Sequence, residues 1–161
     1  MHRWYNCLMK RQKLENLAAR LKEELGKAEV SALHTRKTAN EASHGLATSY
    51  SAAGDAEHAG NTALLSYQKL EQLKKLKAEI EESRIGAVPE TVSPVCFTSV
   101  TFDDGRISEF YFVKNSAYIS GINFISPDSP LGSAISGKSA GERFLYSAGE
   151  ENHAGVISGI L

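Results

Sequence analysis

The sequence predicts an α+β protein, in which an antiparallel two-helix coiled-coil hairpin precedes an antiparallel β-sheet domain with one short helix. Three observations support this fold class. No proline occurs before Pro89, so the chain up to Arg84 can be helical without interruption. Apolar residues recur in this region at steps of three and four, which is the period of a helix. Beyond the segment 84–95, which contains glycine and two prolines, the period changes to two, as in strands.

Two apolar stripes define the helices. The first stripe consists of Leu14, Leu17, Leu21, Leu25, Ala28 and Ala32. The second consists of Leu64, Leu70, Leu73, Leu76 or Lys77, and Ile80. Within each helix, charged residues occupy many of the positions between the apolar residues of the stripe. A single long helix would leave its stripe in water, whereas a chain that folds back buries one stripe against the other.

Two segments have the residue types of the turn between these helices, 38–46 and 52–61. We favour the first, because Ser43 can cap the helix that follows it. The second stripe then continues towards the turn through Leu46, Tyr50, Ala53, Glu57, Gly60, Leu64 and Tyr67. In this interpretation Gly54 and Gly60 lie inside a helix, at a cost of about 1 kcal/mol each.

The prolines after Gly86 divide the chain into a hairpin over 1–85, a linker over 86–94 and a sheet domain over 95–161. The stretches VCFTSVTF and ISEFYFV are predicted strands, and Asp104-Gly105 between them is a strong hairpin signal. INFIS is a third strand. ERFLYS and AGVISGIL form a closing pair around AGEENH.

The stretch FISPDSPLGSAISGKSAGERF (124–144) is predicted to be a strand–helix–strand unit rather than a linker. Asp128 or Ser129 caps the helix, and Pro130 takes its first position. Leu131, Ala134 and Ile135 form its apolar face. Gly137 then ends the helix in a left-handed conformation, and Gly141 turns the chain back into a strand.

The same stretch formally contains a phosphate-binding loop pattern, GSAISGKS, from Gly132 to Ser139. A phosphate-binding loop follows a buried parallel strand and opens a long helix. Here Lys138 follows the end of a short helix, so the context argues against that function. His34, His44 and His58 have no partner at a metal-ligand spacing, so no metal site is expected.

Composition excludes several classes of protein. The net charge is −1, with 14 Lys and Arg against 11 Asp and Glu in residues 1–85 and 4 against 8 in the remainder, so neither part is basic enough to indicate nucleic-acid binding.

Cys7 and Cys96 are the only cysteines, which favours a reducing compartment. No apolar run approaches a membrane span, and the N-terminal residues do not form a signal peptide. We therefore expect a soluble cytoplasmic protein.

The stretch 124–144 resembles the C-terminal signature of the bacterial GreA/GreB transcript-cleavage factors, in which a run of the form IS-x-x-SPLG-x-A-(L/I)-x-GK-x-x-G-(D/E) recurs. The resemblance covers about residues 90–161. It is weaker in the hairpin, where it rests on the architecture and on LKEEL and ATSYSAAG. It implies an FKBP-like sheet domain, and a factor that binds RNA polymerase core and has no chemistry of its own.

In such factors the sheet domain docks at the rim of the polymerase secondary channel, and the coiled coil enters the channel. The resemblance therefore implies nucleic acid as an indirect contact, through the elongation complex, and no membrane partner. It places the docking residues at Ser126, Asp128, Ser129, Pro130, Leu131, Gly132, Gly137 and Lys138. No cofactor is implied except a Mg²⁺ ion shared at the polymerase active site, whose oxygen shell acidic tip residues can complete.

The acidic pair at the tip of these factors is not intact here. If Tyr50 matches the family's tip tyrosine, Ser43 and Leu46 take the two acidic positions. In the other register Asp55 fills the first position and His58 the second. The tip candidates are Glu41, His44, Asp55 and Glu57. A single carboxylate is a poor site for a second metal ion, so we favour a regulator that binds polymerase without strong cleavage stimulation.

Three alternatives remain at this point. The first is a competent cleavage factor that lends its tip carboxylates to the second Mg²⁺. The second is an FKBP-like prolyl isomerase, whose pocket would use Phe97, Phe102, Phe110, Phe112, Phe124 and Phe144; the alternating pattern explains the same residues as core. The third is a coiled-coil adaptor that does not bind polymerase.

Overall fold

The computed structural model describes residues 2–44, 50–83 and 87–161, and the side chains of 8–43, 53–83 and 87–161. It contains two long helices, α1 (His2–His44) and α2 (Tyr50–Ser83). A five-stranded sheet and a short third helix follow. The predicted fold class is therefore confirmed.

Leucines hold the two long helices together at the end nearest the sheet. The buried residues are Leu14, Leu17, Leu21, Leu25 and Ala28 of α1, with Leu70, Leu73, Leu76 and Ile80 of α2. They form one continuous cluster, as the spacing of the first stripe predicts. Burial of a leucine side chain contributes about 1.5–3 kcal/mol, so this base carries most of the stability of the pairing.

The other half of the hairpin pairs through small side chains. The half-buried positions are Ala32, Thr35, Ala39 and Ala42 of α1, with Ala56, Ala59, Ala63 and Ser66 of α2. The stripe predicted through Leu64 and Tyr67 is wrong, because these side chains are 55% and 57% exposed. Small side chains let two helices approach closely, so the seam runs along the alanines and the larger apolar residues point outward.

The break between the helices comes at the end of the first predicted turn, since α1 continues to His44 and α2 begins at Tyr50. Residues 45–49, which include the last two positions of that turn, lie outside the described residues. Gly54 is helical, as expected for a turn at the first site. The predicted capping role of Ser43 is wrong. Ser43 belongs to α1, and its hydroxyl donates to the carbonyl oxygen of Asn40 at 2.9 Å.

The sheet has the strand order β3-β2-β1-β5-β4. In chain order its elements are β1 (Cys96–Phe102), β2 (Ile107–Phe112), β3 (Phe124–Ile125), α3 (Pro130–Ile135), β4 (Arg143–Ala148) and β5 (Glu151–Ile160). Gly105 has a φ of +85° in the β1–β2 turn, which explains the Asp-Gly hairpin signal.

One pair of strands departs from the antiparallel prediction. β3 runs parallel to β2, with Tyr111 opposite Phe124 and Phe112 opposite Ile125. The segment 113–123, which packs on the hairpin leucines through Ala117 and Ile119, returns the chain before β3 begins, so the two strands share a direction. The sheet is therefore mixed, although the β1–β2, β1–β5 and β4–β5 pairs are antiparallel.

The two faces of the sheet bury two separate cores. One face packs on the leucines of the hairpin base through Val95, Phe97, Val113, Ala117 and Ile119. The opposite face packs on α3 and contains Val92, Cys96, Val100, Phe110, Phe112, Leu131, Ile135, Phe144, Ile157 and Ile160. The sheet is thus a central layer, with the hairpin on one side and α3 on the other.

Hydrogen bonds from side chains of both long helices also join the hairpin to the sheet domain. Glu79 of α2 accepts hydrogen bonds from the backbone N–H groups of Lys114 and Asn115 at 2.7 and 2.8 Å, and from Asn115 Nδ2 at 2.9 Å. From α1, Lys10 Nζ donates to the carbonyl oxygen of Ala87 and an Arg20 nitrogen to that of Ser120, both at 2.8 Å. These contacts come from the leucine-rich half of the hairpin.

Tyr111 joins the sheet to α1 by donating its phenolic hydrogen to the carbonyl oxygen of Lys13 at 2.9 Å. Burial raises the pKa of Tyr111 to about 12, and the charge of Glu109 adds to the shift. The phenol of the unfolded chain titrates near 10. The neutral phenol therefore stabilises the folded protein fully below about pH 10. That contribution is lost as the pH rises from about 10 towards 12.

We expect the free-energy difference between the wild type and Tyr111→Phe to shrink between about pH 8 and about pH 11, because only the wild type loses the neutral phenol. Urea unfolding of both proteins across this range measures the difference. Tyr118→Phe is the matched control, since Tyr118 is 79% exposed. A Tyr111→Phe difference that stays constant with pH would contradict the proposed anchor.

Candidate functional site

The stretch predicted as a strand–helix–strand unit folds around the cap of α3. Ser129 is the N-cap: its side-chain oxygen accepts from the N–H of Gly132 at 3.0 Å. The same hydroxyl donates to the carbonyl oxygen of Ser126 at 2.8 Å. Pro130 takes the first helical position. Of the two predicted caps, Asp128 and Ser129, the structure uses Ser129.

Gly132 allows this cap to close on the preceding loop. A β-carbon at this position would overlap the carbonyl oxygen of Ser126 and lie 2.8 Å from Ser129 Oγ. Leu131 and Ile135 on either side are buried in the core between α3 and the sheet. The Ser-Pro-Leu-Gly sequence is thus a structural unit in which each residue has a distinct role.

The C-terminal end of α3 holds the linker against the sheet domain. Gly137 has a φ of +76°, as predicted for the residue that ends the helix. Its N–H donates to the carbonyl oxygen of Val92 at 2.9 Å, and the N–H of Val92 donates to that of Lys138 at 2.8 Å. Lys138 follows the helix rather than opening one, so the phosphate-loop pattern has the wrong context here.

The predicted docking residues fall into three groups by exposure. Leu131 and Gly132 are buried and build α3. Ser126, Ser129 and Lys138 are half-buried, and Asp128, Pro130 and Gly137 are exposed. We call the accessible part the α3 cap surface, which consists of Ser126, Asp128, Ser129, Pro130, Gly137 and Lys138. A partner protein at this surface would meet one carboxylate, one ammonium group and a proline ring.

The aromatic residues considered for an isomerase pocket are mostly core. Phe97, Phe110, Phe112 and Phe144 are at most 9% exposed. Phe97 packs edge-on against Tyr111, and Phe144 packs edge-on against Phe102. Only Phe102 and Phe124 of the six are half-buried. The alternating pattern therefore placed these rings correctly as core residues, and nothing in their arrangement favours an isomerase.

The tip candidates lie on both sides of the break between the helices. Glu41 is exposed in the last turn of α1, with an oxygen 3.9 Å from Lys37 Nζ. Asp55 and Glu57 are exposed in the second turn of α2. His44 is the last residue of α1, and its side chain lies outside the described residues. Within the described ranges, no three or more His, Cys, Asp or Glu side chains are grouped to hold a metal ion.

Sequence reasoning missed the residues that join the hairpin to the sheet. Glu79 bonds to backbone groups more than thirty positions away, and Lys13 places its ammonium group 4.0 Å from the centre of the Phe97 ring. Neither residue was singled out from the sequence. Only knowledge of the sheet's position could have distinguished them from other charged helix residues.

No helix within the described ranges combines the length and the apolar character that a membrane crossing requires. Scans against protein-family models and against curated proteins find no match.

Similar solved structures include Gfh1 from Thermus aquaticus, at 17% identity and a TM-score of 0.40, with 88% of this chain and 92% of that chain covered. The GreA factor homolog 1 (Gfh1) of Thermus thermophilus is 14% identical, with a TM-score of 0.36 and 94% of each chain covered. The prokaryotic transcription elongation factor GreA/GreB from Nitrosomonas europaea is 18% identical, with a TM-score of 0.38 and 55% of this chain and 77% of that chain covered.

Gly132→Ala should destabilise the protein by about 1–3 kcal/mol, because the added methyl group overpacks the loop at Ser126. The sign of the change in unfolding free energy is informative, because a glycine-to-alanine substitution inside a helix ordinarily stabilises a protein by about 1 kcal/mol. Urea unfolding measures the change. Ser133→Ala is the control at the neighbouring exposed position, where a change within about 0.5 kcal/mol is expected. A stabilised Gly132→Ala protein would show that α3 does not close on the loop as described.

Proposed function

We propose that this chain is a Gre-type regulator of transcription elongation that binds RNA polymerase core in the cytoplasm. The α3 cap surface docks at the rim of the secondary channel, and the hairpin enters the channel. The observation that carries the proposal is the folded form of the stretch that resembles the GreA/GreB signature. Its residues build one capped helix that leaves Asp128 and Pro130 accessible.

The dimensions of the hairpin suit a probe. At about 1.5 Å per residue, α1 continues about 24 Å from Ala28, its last buried position, to His44. The alanine seam over this distance keeps the helix pair narrow. Packed helices usually lie about 8–10 Å apart, axis to axis, and small side chains favour the lower end of that range. A narrow pair of this length can enter a channel that would exclude a larger bundle.

The residues near the tip favour occupancy of the channel over RNA cleavage. A second Mg²⁺ at the polymerase active site needs several oxygen ligands, and a pair of carboxylates is the usual supplement. Neither register of the tip supplies that pair: Ser43 and Leu46 fill the positions in one register, and His58 replaces an acid in the other. The protein needs no cofactor of its own for this role, and it contacts nucleic acid only through the elongation complex.

Polymerase binding is tested by co-purification with RNA polymerase core. We expect the wild type to bind. The affinity of Asp128→Lys should be lower by a factor of about ten or more, because reversing the charge of a docking residue replaces attraction to the partner with repulsion. Glu150→Lys is the matched control, since it reverses an exposed carboxylate at the opposite end of β4. Failure of the wild type to bind, or equal binding by Asp128→Lys, would contradict the docking role.

Cleavage is tested in a stalled, backtracked elongation complex. We expect the RNA to keep its length when the protein is added, because the tip lacks an acidic pair. Shortened RNA that disappears with Glu41→Ala or Asp55→Ala, but persists with Glu81→Ala at the base of α2, would instead identify a competent cleavage factor. This outcome would leave polymerase binding intact and reject only the non-cleaving role.

A further inference from the structure

A cleft of about 810 Å³ separates α1 from the outer edge of the sheet. Lys13, Asn16, Leu17 and Arg20 form its helix wall, and residues 107–111 of β2 with Phe97 of β1 form its sheet wall. The segment 121–123, which precedes β3, also lines it. This cleft lies on the hairpin side of the sheet, whereas the α3 cap surface lies on the other. No part of the function proposed above uses it.

The sheet wall of the cleft is an incomplete strand edge. β3 covers β2 only at Tyr111 and Phe112. The N–H of Tyr111 donates to the carbonyl oxygen of Asn123 at 2.9 Å, so odd-numbered residues of β2 direct their backbone groups outward. Ile107 and Glu109 are the next two such residues. They pair with β1 on one side, and β3 does not reach them on the other.

The backbone groups at this edge are largely free. The carbonyl oxygen of Glu109 accepts a long hydrogen bond of 3.4 Å from Asn123 Nδ2. Within the described part of the chain, the N–H groups of Ile107 and Glu109 have no hydrogen-bond acceptor on this side. Ile107 is also 71% exposed at the mouth of the cleft. An open strand edge beside an exposed apolar side chain is a template for pairing with another chain.

The helix wall supplies positive charge. Lys13 Nζ lies over the Phe97 ring, and an Arg20 nitrogen donates to the carbonyl oxygen of Ser120. Neither side chain forms an ion pair with a carboxylate among the described residues. Glu109 is the single acidic residue in the lining. The cleft thus has a cationic wall facing a strand edge whose outward backbone groups are available for hydrogen bonds.

We propose that this cleft binds an extended acidic peptide segment of a partner protein, which adds to β2 beside β3 as a further strand. Backbone groups of the segment pair with Ile107 and Glu109. Alternate side chains of a strand point to opposite faces, so carboxylates at every second position can meet Lys13 and Arg20. A helix would not suit this site, because its backbone groups are already paired. A bound segment would contact both α1 and the sheet, and would fix the angle between them.

The probe for this site is a fluorescein-labelled hexapeptide of alternating glutamate and valine. We expect saturable binding, with amide shift changes in NMR spectra and slowed hydrogen exchange at Ile107 and Glu109. Lys13→Met combined with Arg20→Gln should weaken binding about tenfold or more, because it removes both cations. The control pair is Lys22→Met with Arg36→Gln, which removes two exposed cations of α1 that do not line the cleft. Equal weakening by both pairs would overturn the assignment.

Strand addition is separated from simple charge attraction by blocking backbone pairing. The same peptide N-methylated at alternate amides keeps its charges, and we expect it to lose binding to the unaltered protein. Ile107→Pro removes one outward N–H at the first residue of β2, a strand position where proline is tolerated, and should also weaken binding. Undiminished binding of the methylated peptide would overturn the proposal. So would displacement of the peptide by a short single-stranded RNA at equal concentration, since this would indicate a nucleic-acid site.

Discussion

The structure depends on one shared core, in which a single face of the sheet packs on the leucines at the base of the hairpin. Leu17 and Leu73 are almost completely buried there, as are Val113 and Ile119 of the sheet domain. Two long helices alone would bury only one stripe each, and a five-stranded sheet with one short helix would leave its other face in water. Each part therefore completes the burial of the other, and their relative orientation follows from that packing.

This constraint divides the hairpin into two segments with different roles. The leucine-rich base is fixed by the shared core and by the Glu79 carboxylate, which bonds to two backbone N–H groups. The alanine-paired segment beyond Ala28 contributes little burial of its own and depends on the base for its direction. The exposed candidates Glu41 and Asp55 are carried by this second segment. Their positions relative to a partner are set by the base, although they do not contact it.

The sequence predicted most accurately the features that local chemistry determines. The leucines of α1 lie at strict helical spacing, and α3 has a capping serine, a first-position proline and a terminal glycine at Gly137. The alanine seam was misread, because half-buried alanines give a weaker apolar signal than outward-facing residues such as Tyr67. The parallel β3 and the Glu79 contacts depend on residues far apart in the chain, and no local pattern contains that information. Of the tip, residues 45–49 lie outside the described part.

The central claim is that the shared core holds the hairpin as a rod in one direction from the sheet domain. Electron–electron double resonance tests it most directly, with spin labels at Arg36→Cys on the hairpin and Tyr118→Cys on the sheet domain, after Cys7 and Cys96 are replaced by alanine. A second pair of spin labels, at Tyr118→Cys and Leu145→Cys within the sheet domain, gives the width of the distance distribution for a rigid reference. We expect one narrow distance distribution for the hairpin–sheet pair, about as wide as the reference. A broad distribution, or a second peak at short distance, would contradict it.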